Sequence, residues 1–201
     1  LTTYFVLNFF AVIAASYVSF RAVFFFSSYI FGIWIYSHKL KKIPFLGNFI
    51  SATLAITPFF IIFVYYKNIQ PVIFVHALFL FLLILAREMI KDLENISGDL
   101  AQNYRTIPII YGSRISKLLI SFLILLTLVP SLLLIFKFDV GYMNFYFMLC
   151  VVLLVSFIFL LFKAKTRKDY VWLHNILKLI IVMGVFGILL IDVNLVLNRI
   201  L

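Results

Sequence analysis

Long apolar runs follow one another through most of this chain, and they constrain its fold more than any other feature. The hydrocarbon core of a bilayer is about 30 Å thick, so a helix of about 20 apolar residues crosses it. The composition agrees, because 66% of the 201 residues are hydrophobic and the mean hydropathy is +1.20. A soluble domain is typically about 45–50% apolar. The sequence therefore predicts an integral membrane protein with an all-α fold, a polytopic transmembrane helical bundle.

The polar breaks between the runs predict seven spans and no soluble domain. The spans cover about residues 2–18, 22–37, 46–66, 71–90, 115–136, 142–162 and 174–197. Leu1 opens inside an apolar segment and no initiator methionine precedes it, so we expect the chain to be N-terminally incomplete. Residues 1–201 are expected to form a single transmembrane domain.

Lysine and arginine residues at the ends of the spans predict the orientation of the bundle. Twelve lie on one side and four on the other, which assigns the larger group to the cytoplasm. In a soluble protein the formal net charge of +10 would indicate nucleic acid, but topology explains these positions better, so no nucleic-acid partner is expected. The larger group comprises Lys39, Lys41, Lys42, Arg87, Lys91, Arg105, Arg114, Lys117, Lys163, Lys165, Arg167 and Lys168.

The longest polar passage is the segment 87–111, which carries four of the seven acidic residues. On one continuous helix, four of its side chains are spaced i, i+4, i+7 and i+11 and share a face, whereas Glu94 lies on the other side. A break at Gly98 would disrupt this column. Two interpretations remain open: a Mg²⁺ site, because Mg²⁺ is held by a few carboxylates with water and phosphates, or a solvated loop face. The column consists of Glu88, Asp92, Asn95 and Asp99.

A second polar cluster, residues 36–48, is rich in lysine and ends in Gly47-Asn48. One interpretation is a basic loop that only sets topology. The other is a cradle for a diphosphate, because lysine is a strong point-charge partner for phosphate. Arg105 could also reach a phosphate or could simply hold its loop. Lys91 could pair with the same phosphates or with Glu88 or Asn95.

These two clusters resemble motifs of a known family. The series Arg87-Glu88-x-x-Lys91-Asp92-x-x-Asn95-x-x-Gly98-Asp99, followed by Arg105-Thr106-Ile107-Pro108, resembles the second aspartate-rich motif of UbiA-type intramembrane prenyltransferases. The family usually has D-x-x-D-x-x-x-D and then Thr-x-Pro, so Asn95 replaces the middle aspartate. The series Tyr-Ser-x-x-Leu-Lys-Lys-x-Pro-x-x-Gly-Asn resembles the family's basic loop.

The resemblance implies a site and a reaction. The reaction is the Mg²⁺-dependent transfer of an isoprenyl group from a prenyl diphosphate to a lipid or aromatic acceptor. The implied acceptor is a geranylgeranylglyceryl phosphate-type lipid, and a quinone precursor is the alternative. The implied catalytic residues are Asp92 and Asp99, the metal ligands are these two with Asn95 and Glu88, the diphosphate ligands are Lys41, Lys39, Lys91 and Arg105, and the substrate pocket includes Tyr36 and Asn48.

The family's nine helices imply that the seven spans match its third to ninth. Its first aspartate-rich motif is not found in this sequence, which would leave this chain alone without half of a metal site. The expected location is a bacterial inner membrane, among membrane lipids, with the active site facing the cytoplasm.

A different class, a transporter or a noncatalytic membrane subunit, stays open. A transporter is expected to place ionisable residues near the middle of the membrane, on broken helices. Here the acidic residues cluster at a boundary instead, which favours an enzyme. The single histidines His38, His76 and His174 are interpreted as solvated or hydrogen-bonded residues.

Overall fold

The computed structural model of the chain describes residues 2–67, 69–138 and 140–187. Within these ranges the fold is helical throughout, with no β-strand. A single 3-10 turn at Leu40–Lys42 follows the second helix. The α-helices are α1 (Thr2–Val18), α2 (Phe20–His38), α3 (Leu46–Tyr65), α4 (Pro71–Glu94), α5 (Ile96–Ala101), α6 (Ile107–Phe136), α7 (Met143–Lys163) and α8 (Arg167–Gly187).

Six of the described helices, α2, α3, α4, α6, α7 and α8, are long and apolar enough to cross a membrane. This confirms the predicted all-α, polytopic bundle. The sequence predicted seven spans, but α1 is a shorter apolar helix of 17 residues. Helices α6 and α8 begin earlier than the apolar runs indicated. The end of the last predicted span lies outside the described residues.

Helix α4 is the centre of the bundle and packs against α3, α6 and α8. More than half of the most apolar 18-residue stretch of α4 is buried, the largest such share among the six long helices. Its residues Leu83 and Ile90 are fully buried and belong to an apolar core cluster that includes large side chains from α6, α7 and α8. Its fully or almost fully buried members on those helices include Ile120, Ile124, Phe147, Phe157, Leu173 and Leu177. This core holds the polar end of α4 in a defined position.

Two contacts bring the polar connections together at one end of the bundle. The backbone N–H of Arg105 donates to the carbonyl of Lys42 at 3.4 Å, which joins the start of α6 to the 3-10 turn. The ammonium of Lys117 on α6 donates to the carbonyl of Ala164 at the end of α7. The basic segments therefore share one end, as the charge pattern predicts.

Gly112 interrupts the helical geometry of α6 one and a half turns after it begins. Its φ is +79° and its ψ is +166°, a combination that only glycine adopts readily. A Cβ atom at this position would meet no other atom within 4 Å, so backbone conformation alone requires the glycine. The break separates residues 107–111 from the long buried part of α6.

We expect Gly112→Ala to lower the free energy of unfolding by about 1–3 kcal/mol, because alanine is strained in this region of φ and ψ. The measurement is the thermal unfolding midpoint of the purified protein in detergent. Gly32→Ala in α2 is the matched control, since its added Cβ would make only an ordinary contact of 3.6 Å with Leu54. Equal midpoints for the two variants would contradict the assignment of strain to Gly112.

Candidate active site

A cavity lies at the polar end of the bundle, between the end of α4, the short helix α5 and the starts of α3 and α6. Eight of the ten site residues predicted from the sequence line it. They are Tyr36, Lys41, Asn48, Glu88, Lys91, Asp92, Asn95 and Asp99. The sequence analysis gave no role to Ile43, Gly47, Tyr104 and Thr106, which complete the lining.

The acidic residues do not form the continuous helical column that the sequence predicted. Helix α4 ends at Glu94, and Asn95 has a φ of −113° and a ψ of 24°, outside helical geometry. Asparagine favours such a joint because its side chain forms local hydrogen bonds that compete with the helix. The break falls at Asn95 and not at Gly98, which lies inside α5. Asp92 and Asp99 nevertheless face the same cavity.

Amide side chains hold the two aspartates in place. Asn48 Nδ2 donates to Asp92 Oδ2 at 2.7 Å, and Asn95 Nδ2 donates to Asp99 Oδ1 at 3.2 Å. Asn48 and Asp99 are each only 7% exposed. The second oxygen of each aspartate receives no hydrogen bond from the described residues. Two carboxylate oxygens in a shared, largely buried cavity are chemically suited to a divalent cation.

Glu88 is held by three partners and is less available than the aspartates. Lys91 Nζ lies 2.9 Å from Glu88 Oε2, and Ser51 Oγ donates to the same oxygen at 3.2 Å. Arg87 Nη1 lies 3.5 Å from Glu88 Oε1. The sequence left a phosphate, Glu88 and Asn95 open as partners of Lys91, and in the structure Lys91 pairs with Glu88.

Lys41 extends over the ring of Tyr104, with its ammonium 5.1 Å from the ring centre. The positive charge therefore lies at the cavity wall in a cation–π contact. Lys39 and Arg105, the other two predicted diphosphate ligands, are exposed and do not line the cavity. Lys41, within the 3-10 turn, lines the cavity that the carboxylates share, whereas Lys39, just before the turn, does not.

The start of α3 approaches the 3-10 turn closely, and this approach requires Gly47. A Cβ atom at Gly47 would lie 3.0 Å from the carbonyl oxygen of Lys41 and 3.1 Å from that of Leu40. The glycine lets the lysine-bearing turn lie directly against the helix that carries Asn48. Lys41 and the amide partner of Asp92 therefore line one cavity.

A hydrogen-bonded chain joins the cavity to α8. Arg87 Nε donates to His174 Nε2 at 3.1 Å, and His174 Nδ1 lies 2.8 Å from Glu94 Oε2. Because arginine can only donate, Nε2 accepts, and the imidazole proton is on Nδ1 and faces the carboxylate. The sequence analysis missed this pairing. The available signal was a lone acid on the far face of α4 and a lone histidine in an apolar span.

Among the described residues, no group of three or more histidine, cysteine, aspartate or glutamate side chains is arranged to hold a metal ion. The donors in the cavity are therefore a pair of aspartates with nearby amides. Such a pair fits Mg²⁺, which takes one or two carboxylates and completes its shell with water and substrate phosphates.

The sequence model of the UbiA prenyltransferase family matches residues 1–179. The chain belongs to this family. This membership and the six apolar helices make it an integral membrane protein.

Similar members of the family share one name. The chain is 32% identical over 161 residues to the digeranylgeranylglyceryl phosphate synthase of Thermococcus gammatolerans, covering 79% of this chain and 56% of that protein. It is 30% identical over 146 residues to the synthase of the same name from Methanosphaera stadtmanae, covering 72% of this chain and 52% of that protein. The chain thus spans about half the length of the curated relatives it matches.

A solved structure shares the fold at a TM-score of 0.69 and 25% identity. It is described as "Structural and mechanistic insights into the biosynthesis of Digeranylgeranylglyceryl phosphate synthase in membranes". The similarity covers 90% of this chain and 65% of that one. The family resemblance seen in the two sequence motifs therefore extends to the three-dimensional arrangement.

We expect His174→Phe to lower the free energy of unfolding by about 1–3 kcal/mol, because Glu94 and Arg87 each lose a largely buried partner. The thermal unfolding midpoint in detergent measures this, and His38→Phe at an exposed position is the control. Adding Glu94→Gln to both the wild type and the variant tests the pairing. If the two substitutions had strictly additive effects, the pairing would contribute nothing to stability.

Proposed function

We propose that residues 1–201 form a single transmembrane prenyltransferase domain that transfers an isoprenyl group from a prenyl diphosphate to a glyceryl phosphate lipid. One observation carries this proposal: Asp92 and Asp99 line one cavity with Lys41, although α4 and α5 are separate helices. Carboxylates beside a lysine at the edge of an apolar bundle suit a ligand with a charged diphosphate head and an apolar tail.

Mg²⁺ is the proposed cofactor, and the donors of the cavity fit it. Asp92 and Asp99 would hold it, with Asn95 as a further oxygen ligand once its amide turns from Asp99. Glu88 stays a second candidate, because it would have to leave Lys91, Ser51 and Arg87. When bound, Mg²⁺ would stabilise the negative charge on the diphosphate.

The lysines have a separate role in this proposal. As the allylic carbon–oxygen bond breaks, negative charge develops on the leaving diphosphate, and fixed positive groups stabilise it. Lys41 is the favoured ligand because it lines the cavity and forms no ion pair with a carboxylate in the described part of the chain. Lys91 also lines the cavity, but Glu88 offsets part of its charge. Lys39 and Arg105 would need to move inward to take part.

The names of the similar proteins favour a geranylgeranylglyceryl phosphate-type lipid as the acceptor. They are called digeranylgeranylglyceryl phosphate synthases. A quinone precursor remains the alternative outcome of an acceptor assay. Family membership also favours the enzyme over a transporter or a noncatalytic subunit.

We infer that the cavity faces the cytoplasm. It lies at the end of the bundle where the connections before α3, α6 and α8, together with the helix ends that flank them, carry twelve of the 17 lysine and arginine residues. The excess of positive residues on cytoplasmic loops supports this orientation. The bacterial inner membrane stays a prediction from the sequence.

We expect Asp92→Asn and Asp99→Asn, each made in the protein at its natural length, to lower prenyl transfer at least about 100-fold. Labelled prenyl diphosphate with glyceryl phosphate and aromatic acceptors, with and without EDTA, measures the loss and its dependence on Mg²⁺. Asp169→Asn is the matched control, because Asp169 does not line the cavity and its carboxylate accepts local hydrogen bonds from the backbone N–H groups of Lys165 and Thr166. Full activity in both cavity variants would refute the proposal.

We expect Lys41→Ala to raise the KM for the prenyl diphosphate about tenfold, because a charge-assisted hydrogen bond to the diphosphate is lost. Lys42→Ala is the control: its ammonium also lies over the Tyr104 ring, at 5.9 Å, but the residue does not line the cavity. Steady-state kinetics with the donor varied gives the result. If the two substitutions changed the KM equally, Lys41 would have no specific role in binding the donor and would only contribute to membrane topology.

A further inference from the structure

Thr106 lines the cavity immediately before α6, and its hydroxyl is unpaired. The residue is only 7% exposed, and Oγ1 has no hydrogen-bond partner in the described part of the chain. A buried hydroxyl without a partner costs free energy, because it has given up its hydrogen bonds to water. Such a group on a cavity wall indicates a ligand that supplies the missing bond.

The first turn of α6 explains why the hydroxyl is not used to cap the helix. A threonine before a helix normally accepts a hydrogen bond from the N–H of the second or third helical residue. Here the second residue is Pro108, which has no N–H. The third is Ile109, whose N–H donates to the carbonyl of Thr106 at 3.1 Å. The hydroxyl is therefore left for the cavity.

The surroundings of Thr106 favour an anion as the ligand. Lys41 lines the same cavity. The neighbouring Arg105 N–H is bonded to the carbonyl of Lys42, which holds the segment before α6 against the lysine-bearing turn. Phosphoryl oxygen combines negative charge with the lone pairs that a hydroxyl donor needs.

We propose that Thr106 Oγ1 donates a hydrogen bond to a phosphoryl oxygen of a substrate held in the cavity. This inference rests on the proposed function and adds a specific polar contact to it. The donor diphosphate and the acceptor phosphate both carry such an oxygen, so the shared chemistry is the phosphoryl group. Thr106 is a binding residue in this scheme and exchanges no proton with the substrates.

The test compares Thr106→Val, which keeps the shape and removes the hydroxyl, with Thr106→Ser, which keeps the hydroxyl. Thr127→Val on the same helix is the matched control, because that buried hydroxyl is bonded to the carbonyl of Leu123. Two readouts are needed: calorimetric binding of inorganic pyrophosphate in the presence of Mg²⁺, and separate KM values for the prenyl diphosphate and for the glyceryl phosphate acceptor.

We expect Thr106→Val to weaken pyrophosphate binding, or to raise the KM of one substrate, by about tenfold, and Thr106→Ser to stay near the wild type. A raised donor KM assigns the contact to the diphosphate, and a raised acceptor KM assigns it to the phosphate. Without ligand, Thr106→Val should unfold at or above the wild-type temperature, because an unpaired hydroxyl contributes no stabilising bond.

The inference is overturned if Thr106→Val leaves both KM values and pyrophosphate binding unchanged, or if it destabilises the ligand-free protein as a lost structural bond would. In either case prenyl transfer that still depends on Asp92 and Lys41 leaves the proposed function intact. A wild-type protein that neither binds pyrophosphate nor transfers a prenyl group would overturn both.

Discussion

Charge inside an apolar bundle must find a partner, and this requirement shapes the whole polar end of the molecule. A carboxylate that leaves water loses far more solvation than a surface ion pair returns, so each acid on α4 needs donors from its neighbours. Asn48 on α3 donates a hydrogen bond to Asp92, and Ser51 on the same helix donates one to Glu88. His174 on α8 is the donor to Glu94. These polar pairs therefore link α4 to α3 and to α8, in addition to the apolar packing of α4.

The arrangement also separates two kinds of acid. Glu88 and Glu94 are enclosed by cationic or imidazole partners and stabilise the bundle. Asp92 and Asp99 each meet an amide, which orients a carboxylate without neutralising it, and both face the cavity. Neither aspartate forms an ion pair among the described residues, so their carboxylate oxygens are available to a cation in the cavity. The family to which the chain belongs is consistent with this division of roles.

The sequence alone predicted the long helices, because the lipid environment determines their structure. The apolar runs located every long helix because a buried backbone has no other way to satisfy its hydrogen bonds in a bilayer. Polar residues carry α6 and α8 beyond the apolar runs, so hydropathy missed the starts at Ile107 and Arg167.

The candidate site was predictable in membership and less so in geometry. Spacing on an ideal helix grouped the acids that line the cavity, but α4 ends at Glu94, and the non-helical Asn95 separates it from α5, which carries Asp99. Spacing could not choose between Lys39 and Lys41, because a 3-10 turn rotates successive side chains differently from an α-helix. The pair of Glu94 and His174, 80 residues apart, is a product of packing that no local pattern encodes.

The break at Gly112 uncouples two tasks that one straight helix would have to combine. Thr106, immediately before the short segment, lines the polar cavity, whereas the long segment after the break packs against α4 and α7. Helices adapt to bilayers of different thickness mainly by changing their tilt. A joint at this height lets the long segment tilt with the surrounding lipid while the short segment stays in place, so a change of bilayer thickness need not displace the side chains that line the cavity.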